Sequence, residues 1–142
     1  MAVVELDLQL AQQLLEHCMV QAMERFGKPV CVAVCDAHGF LVSFSRADGA
    51  PVRSIALSQQ KAYTSTRMGG TTMAFLERLR REDIAIGNFC DALLTALPGG
   101  ALLEDGTHRV IGAIGISGLA PAEDQLLADA GTHFIELSTQ PT

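Results

Sequence analysis

The chain has 142 residues, is 49% hydrophobic and only 18% charged, and carries a formal net charge of −6 with a pI near 5.0. These figures exclude a disordered chain, which needs low hydrophobicity, and exclude nucleic acid and anionic membranes as partners, which need a basic patch. No apolar run is long enough to span a bilayer, and the length fits a single domain over residues 1–142.

Met1 to Leu10 carries Glu5 and Asp7 and no Lys or Arg, which is wrong for a secretory signal. Asp7 to Phe26 reads as a helix, because Leu8, Ala11, Leu15, Cys18, Ala22 and Phe26 recur at three- and four-residue steps. Asp7 is its candidate N-cap, and Gly27 with Pro29 ends it. Val30 to Asp36, apolar on both faces, reads as a strand covered on both sides. The loop Asp36-Ala37-His38-Gly39 joins it to Phe40–Arg46 in a hairpin, and Ala47 to Pro51 is a turn. Cys31 and Cys35 share a face of the first strand about 13 Å apart at ~3.3 Å per residue, too far for a disulfide or one metal ion. The four cysteines show no framework spacing, so buried, reduced thiols in a cytoplasmic protein are expected.

Ser54 to Met68 reads as a second helix with Ser54 as candidate N-cap, broken by Gly69-Gly70. Thr71 or Thr72 caps a third, Met73 to Arg81, with Arg78, Arg80 and Arg81 near its C-terminal end where the dipole favours cations. Ile84 to Leu97 lacks a clear period and is expected to be mostly loop, with a short strand near its end. Pro98-Gly99-Gly100 is a loop signal, and strands at Ala101–Glu104 and Arg109–Ser117 form a second hairpin around Asp105-Gly106-Thr107. Pro121, followed by Glu123 and Asp124, opens a last helix through Ala130, closed by Gly131. The expectation is a layered α/β domain with a largely antiparallel sheet flanked by helices. The apolar surplus points to surface buried between copies in a homo-oligomer.

Generic catalytic signatures are absent: there is no Gly-x-Ser-x-Gly, no phosphate loop and no His-Glu-x-x-His. Three constellations remain. Arg46-Ala47-Asp48-Gly49-Ala50 either locks its turn by side-chain hydrogen bonds or presents a guanidinium to an anionic ligand. Ser54 and Lys61 lie two turns apart on one helix face, where a lysine on the apolar side must reach water, a carboxylate or a ligand. Gly99-Gly100 and Ser117-Gly118 either serve turns or free backbone N–H groups for a ligand. His17, beside Cys18 on the flank of the first helix, either hydrogen-bonds at the core boundary or ligates iron through an imidazole nitrogen.

In this order the constellations resemble the GlcG/HbpS-type family, also called haem-degrading-like or DUF336, and the C-terminal domain of PduO-type proteins. The resemblance rests on Pro29–Asp36 with Gly39, Arg46 through Ala50, and Ser54, Ala56 and Lys61-Ala62-Tyr63-Thr64. It continues through Gly99-Gly100, Gly106, Ile111 to Gly118 and Glu123-Asp124. It implies a three-layer α/β/α domain with a sheet of about five strands, homo-oligomers that are often octamers, and haem binding in some members. It also implies a pocket drawing on Arg46, Asp48, Ser54, Lys61, Gly99, Gly100, Ser117, Gly118, Glu123 and Asp124, with His17 as the carry-over haem ligand. Two departures alter the pocket's shape: Ala47 replaces a bulkier residue, and Ala101-Leu102 follows the glycine pair where the family commonly has a proline.

Three functions follow. The first is a haem-binding, haem-degrading accessory protein, with His17 on the iron and Arg46, Arg53 or Lys61 at the propionates. The second is a cofactor-independent enzyme or binder for a small carboxylated catabolic metabolite. There Arg46 and the Gly99-Gly100 amides hold the carboxylate, and Lys61, Asp48, Glu123 or Asp124 acts as acid or base in hydrolysis, hydration or isomerisation. The third is a purely structural oligomer in which the same residues only fix turns.

Overall fold

A computed structural model of the chain describes residues 5–140; the part of the Met1–Leu10 reading that falls on residues 1–4 lies outside them. The elements run α1 (Leu8–Phe26), β1 (Cys31–Asp36), β2 (Leu41–Arg46), α2 (Ser54–Met68), α3 (Thr72–Glu82), a single 3-10 turn (Ile86–Phe89), β3 (Gly100–Glu104), β4 (Val110–Ser117) and α4 (Pro121–Ser138).

Local chemistry sets the helix ends. Asp7 accepts a hydrogen bond from the Leu10 N–H at 2.8 Å, and Thr71 accepts one from the Ala74 N–H at 3.0 Å. Each satisfies a donor with no intrahelical partner. Gly27, at φ 66°, takes the left-handed conformation that closes α1. Ala11, Leu14, Leu15, Cys18 and Ala22 form the buried stripe of α1, whereas Leu8 is exposed.

Among the described residues the sheet has four strands, against the expected five or so, in the order β2-β1-β4-β3, every neighbour antiparallel. Two local hairpins are therefore joined through their inner strands, with Val32 opposite Ile116 and Ala33 opposite Gly115. Val32, Val34, Ile114 and Ile116 pack with α1 and α4 in the main core. The alternate residues Cys35 and Ala113 meet Ala62 of α2 instead. Gly115 lets α2 lie directly on the sheet, since a Cβ there would run into the Ser58 carbonyl.

Four expectations are corrected. The segment 84–97 holds the 3-10 turn and no strand, because its backbone groups are taken by side chains: Asp91 accepts from Leu93 N–H and Thr64 accepts from Thr95 N–H. Gly131 does not close the last helix, which continues to Ser138. Its missing side chain serves packing, because a Cβ there would stand 3.0–3.3 Å from Ile114, Cys18 and Leu14. Ser54 is the first residue of α2 rather than its cap, and its hydroxyl is turned to the sheet. The four cysteines are free as expected, but Cys90 is exposed.

Candidate functional site

Where β4 ends, polar side chains from α2 and α4 meet beneath a glycine turn. The Ser117 hydroxyl donates to the Ser54 hydroxyl at 3.0 Å, tying the end of β4 to the start of α2. Two turns along α2, Lys61 is buried, only 2% exposed. Its Nζ donates to the Ile116 carbonyl at 2.8 Å and to Asp124 Oδ2, in the first turn of α4, at 3.1 Å. Asp124 Oδ1 accepts from the Leu119 N–H at 3.0 Å, so this carboxylate also pins the turn entering α4. Gly99, at φ 133°, leaves the passage the lysine uses, for a Cβ there would lie 2.8 Å from Lys61 Nζ.

Burial dominates the electrostatics. It pushes the Asp124 carboxyl up to about 6, against the pull of Lys61 and of the Leu119 and Gly118 N–H groups. It also lowers Lys61, opposed by Asp124. Removing both groups from water makes each charge costly, and their mutual attraction offsets that cost only while both are present.

The geometry thus brings together Lys61, Asp124, Ser54, Ser117, Gly99, Gly100 and Gly118. It leaves four candidates outside. Glu123 caps α4 by accepting from the Ala120 N–H at 3.2 Å. Arg46 and Asp48 are exposed and make no side-chain hydrogen bond among the described residues, so of the two readings of that turn the side-chain lock is not found there. Backbone bonds hold it instead, from Ala47 N–H to Val30 and from Ala50 N–H to Ala47. Arg46 and Ser117 both stand opposite Cys31, on either side of it, about 10 Å apart by strand spacing. They share one end of the sheet but no hollow. His17 is on α1, on the other face of the sheet, half-buried and stacked on Phe134 with ring centroids 4.4 Å apart.

Sequence reasoning missed Gln125. Its side chain accepts from the Gly99 N–H at 2.8 Å and donates to the Gly100 carbonyl and to Asp129, both at 3.0 Å. Only its place beside Asp124 in the first turn of α4 hinted at a role. Thr72 adds a bond from the Gly100 N–H at 2.9 Å. Two open grooves lie elsewhere. One of about 620 Å³ runs between α1 and β2, lined by Leu15, Met19, Met23, Ser43 and Ser45. One of about 340 Å³ lies between α2 and the β1–β2 hairpin, against Tyr63, Gln60 and Leu41. Neither touches the Lys61 cluster. No group of metal-ligating side chains occurs among the described residues, and no helix there is long and apolar enough to cross a membrane.

Residues 6–133 match the family described as haem degrading protein HbpS-like. Among solved structures, a double mutant of HbpS from Streptomyces reticuli is 26% identical with a TM-score of 0.80, covering 95% of this chain and 90% of that one. The PduOC:heme complex is 26% identical with a TM-score of 0.79, covering 92% and 94%. The Klebsiella pneumoniae protein ORFY, of the DUF336 family, is 24% identical with a TM-score of 0.83 over 99% and 97%. Among curated proteins none matches the chain.

Proposed function

Because the chain belongs to the HbpS-like family of haem degrading proteins, we propose that it binds haem and that His17 supplies the axial ligand to the iron. The observation that carries this reading is the state of His17. Its ring is half-buried against Phe134 and makes no hydrogen bond among the described residues, which leaves a nitrogen lone pair for a metal. Phe134 fixes the plane of the imidazole, and Leu137, one turn further along α4 and 56% exposed, adds apolar surface beside it. The donor chemistry therefore fits the group. Bound haem would supply a redox-active iron, while the work of this chain is to hold and orient it. The PduOC:heme complex among the similar structures supports the same ligand.

Propionate contacts expected of Arg46 and Lys61 do not belong to a haem held by His17. Lys61 is committed to Asp124 and Ile116, and Arg46 lies in the row of residues facing α2, across the sheet from His17. With this reading goes an accessory role in haem degradation, in a cytoplasmic homo-oligomer of the kind the resemblance implies, often an octamer. A composition 49% hydrophobic and 18% charged supports contact between copies.

Titration of the purified chain with haemin tests the ligand. A saturable Soret shift is expected, lost or displaced in His17→Ala. Identical spectra for the two proteins would remove His17, and no saturable band at all would remove haem.

A further inference from the structure

The two edges of the sheet are finished differently. Along β3, the Ile116 N–H bonds to the Gly99 carbonyl, so the alternation of an antiparallel ladder turns the backbone groups of Gly100 and Leu102 outward. Side chains meet these groups. Thr72 accepts from the Gly100 N–H, Gln125 donates to the Gly100 carbonyl, and the Thr132 hydroxyl donates to the Leu102 carbonyl at 3.2 Å. Along β2, the Ala47 N–H bonds to the Val30 carbonyl, and the same alternation turns the backbone of Phe44 and Arg46 outward. Their N–H and C=O groups have no partner among the described residues.

This second edge is less guarded: residues 41–45 contain no Lys, Pro or charged side chain, and its only such devices are Arg46 at the end of the strand and a bulge at Val42, where the register shifts opposite Val34 and Cys35. The helix layers on both sides of the strand are also left open at the same place. The α1 groove borders β2 on one face, with Val20 and Met23 48% and 55% exposed, and the α2 groove borders it on the other, with Leu41 52% exposed. Ser43 and Ser45 line the α1 groove, so the flank of α1 has little side chain beneath it at the edge.

We propose that β2 pairs antiparallel with β2 of a second copy of this chain, Phe44 opposite Phe44, to make one sheet continuous through the dimer. The occupant is a second copy because the edge is self-complementary. An antiparallel pair about a two-fold axis centred on Phe44 joins the N–H and C=O of Phe44 in each copy to those of the other and sets Arg46 opposite Val42, so no like charges face each other. The same axis brings the uncovered flank of α1, with Val20 and Met23, against its own copy. This pairing rests on the assembly reading above and adds which surface makes it.

The test uses the full chain carrying Cys90→Ser, which removes the exposed thiol. Phe44→Cys in that background places two thiols on Cα atoms about 5.5 Å apart across the axis, within disulfide reach. Mild oxidation is expected to give a covalent dimer, and Leu126→Cys, an exposed position on α4, is expected to give none. A monomeric mass for the wild type by light scattering overturns both assembly and pairing. An oligomeric mass without cross-linking at position 44, or equal cross-linking at 44 and 126, overturns the pairing alone. If Phe44→Cys fails to fold by circular dichroism, hydrogen exchange on the unaltered chain decides. The Phe44 and Arg46 amides are expected to exchange more than about tenfold slower when concentrated than when diluted, and concentration-independent exchange overturns the pairing.

Discussion

Replacing Lys61 by Met keeps the length of the buried stem and deletes its ammonium. Asp124, only 2% exposed, would then hold a carboxylate whose remaining partner bonds come from the turn backbone. Breaking one side of a buried pair costs about 3–5 kcal/mol, a large share of the roughly 5–15 kcal/mol that holds a domain together. With a urea dependence of about 2 kcal/mol per molar, the unfolding midpoint should fall by about 2 M. The deficit should depend on pH with a definite sign. In the wild type the Asp124 carboxyl is already raised to about 6, and Lys61 is the strongest opposing influence. Without Lys61 its folded value rises further above the unfolded one. A raised folded value favours the native state below the unfolded value, and that favour is lost as pH climbs through the folded value. The Lys61→Met penalty should therefore be full at pH 8 and shrink toward pH 5, where Asp124 takes up a proton. Lys61→Met with Asp124→Leu removes both charges and should return to within about 1 kcal/mol of the wild type. Urea melts at pH 5 and 8 decide this. A single variant that loses less than about 1 kcal/mol at pH 8, or a double variant no better than the single, would refute the account.

Other outcomes follow from particular contacts. Gly115→Ala drives a Cβ into the Ser58 carbonyl and should cost more than about 3 kcal/mol or prevent folding, the upper range of overpacking. Gly131→Ala meets only side-chain ends at 3.0–3.3 Å and regains helix propensity of about 1 kcal/mol, so thermal melts should place it within about 1 kcal/mol of the wild type. Asp105 is held at about 2 by hydrogen bonds, those from Thr107 first and those from Arg109 after. A lowered folded value gives stability present above the unfolded carboxyl range and lost as pH falls through about 2. Asp105→Asn should therefore flatten the acid limb of urea midpoints measured between about pH 4 and pH 2; an unaltered limb would remove Asp105 as its source.

Signals that lie within one turn of chain were legible. Asp7, Thr71 and Pro121 mark helix starts because a cap needs only its own three or four neighbours. Gly131 misled because a glycine that ends a helix and one that admits a close neighbour look alike until the neighbour, here Cys18 and Leu14 of α1, is known. The Ser54–Lys61 spacing correctly placed both on one face of α2. The choice of Asp124 as the lysine's partner was not legible, since it depends on how β4 delivers α4 across the glycine turn. Gln125 escaped notice for the same reason, having bonds to residues 25 and 26 positions earlier. Arg46 and Asp48 suggested either a locked turn or an anion contact, but the N–H groups of Ala47 and Ala50 hold the turn and both side chains are exposed.

The seam between β1 and β4 sets Cys31 against Ser117 and Asp36 against Gly112, so the middle of the sheet joins stretches from the first and last thirds of the polypeptide. Each hairpin can close by itself within microseconds, but that seam must await a long loop and the synthesis of β4. During synthesis the early hairpin would stand with its inner rim bare, the kind of species that chaperones hold. Pulse-labelled amide exchange during refolding should accordingly find β1 gaining protection at the rate of β4; protection of β1 at the faster rate of its own hairpin would contradict that order of events.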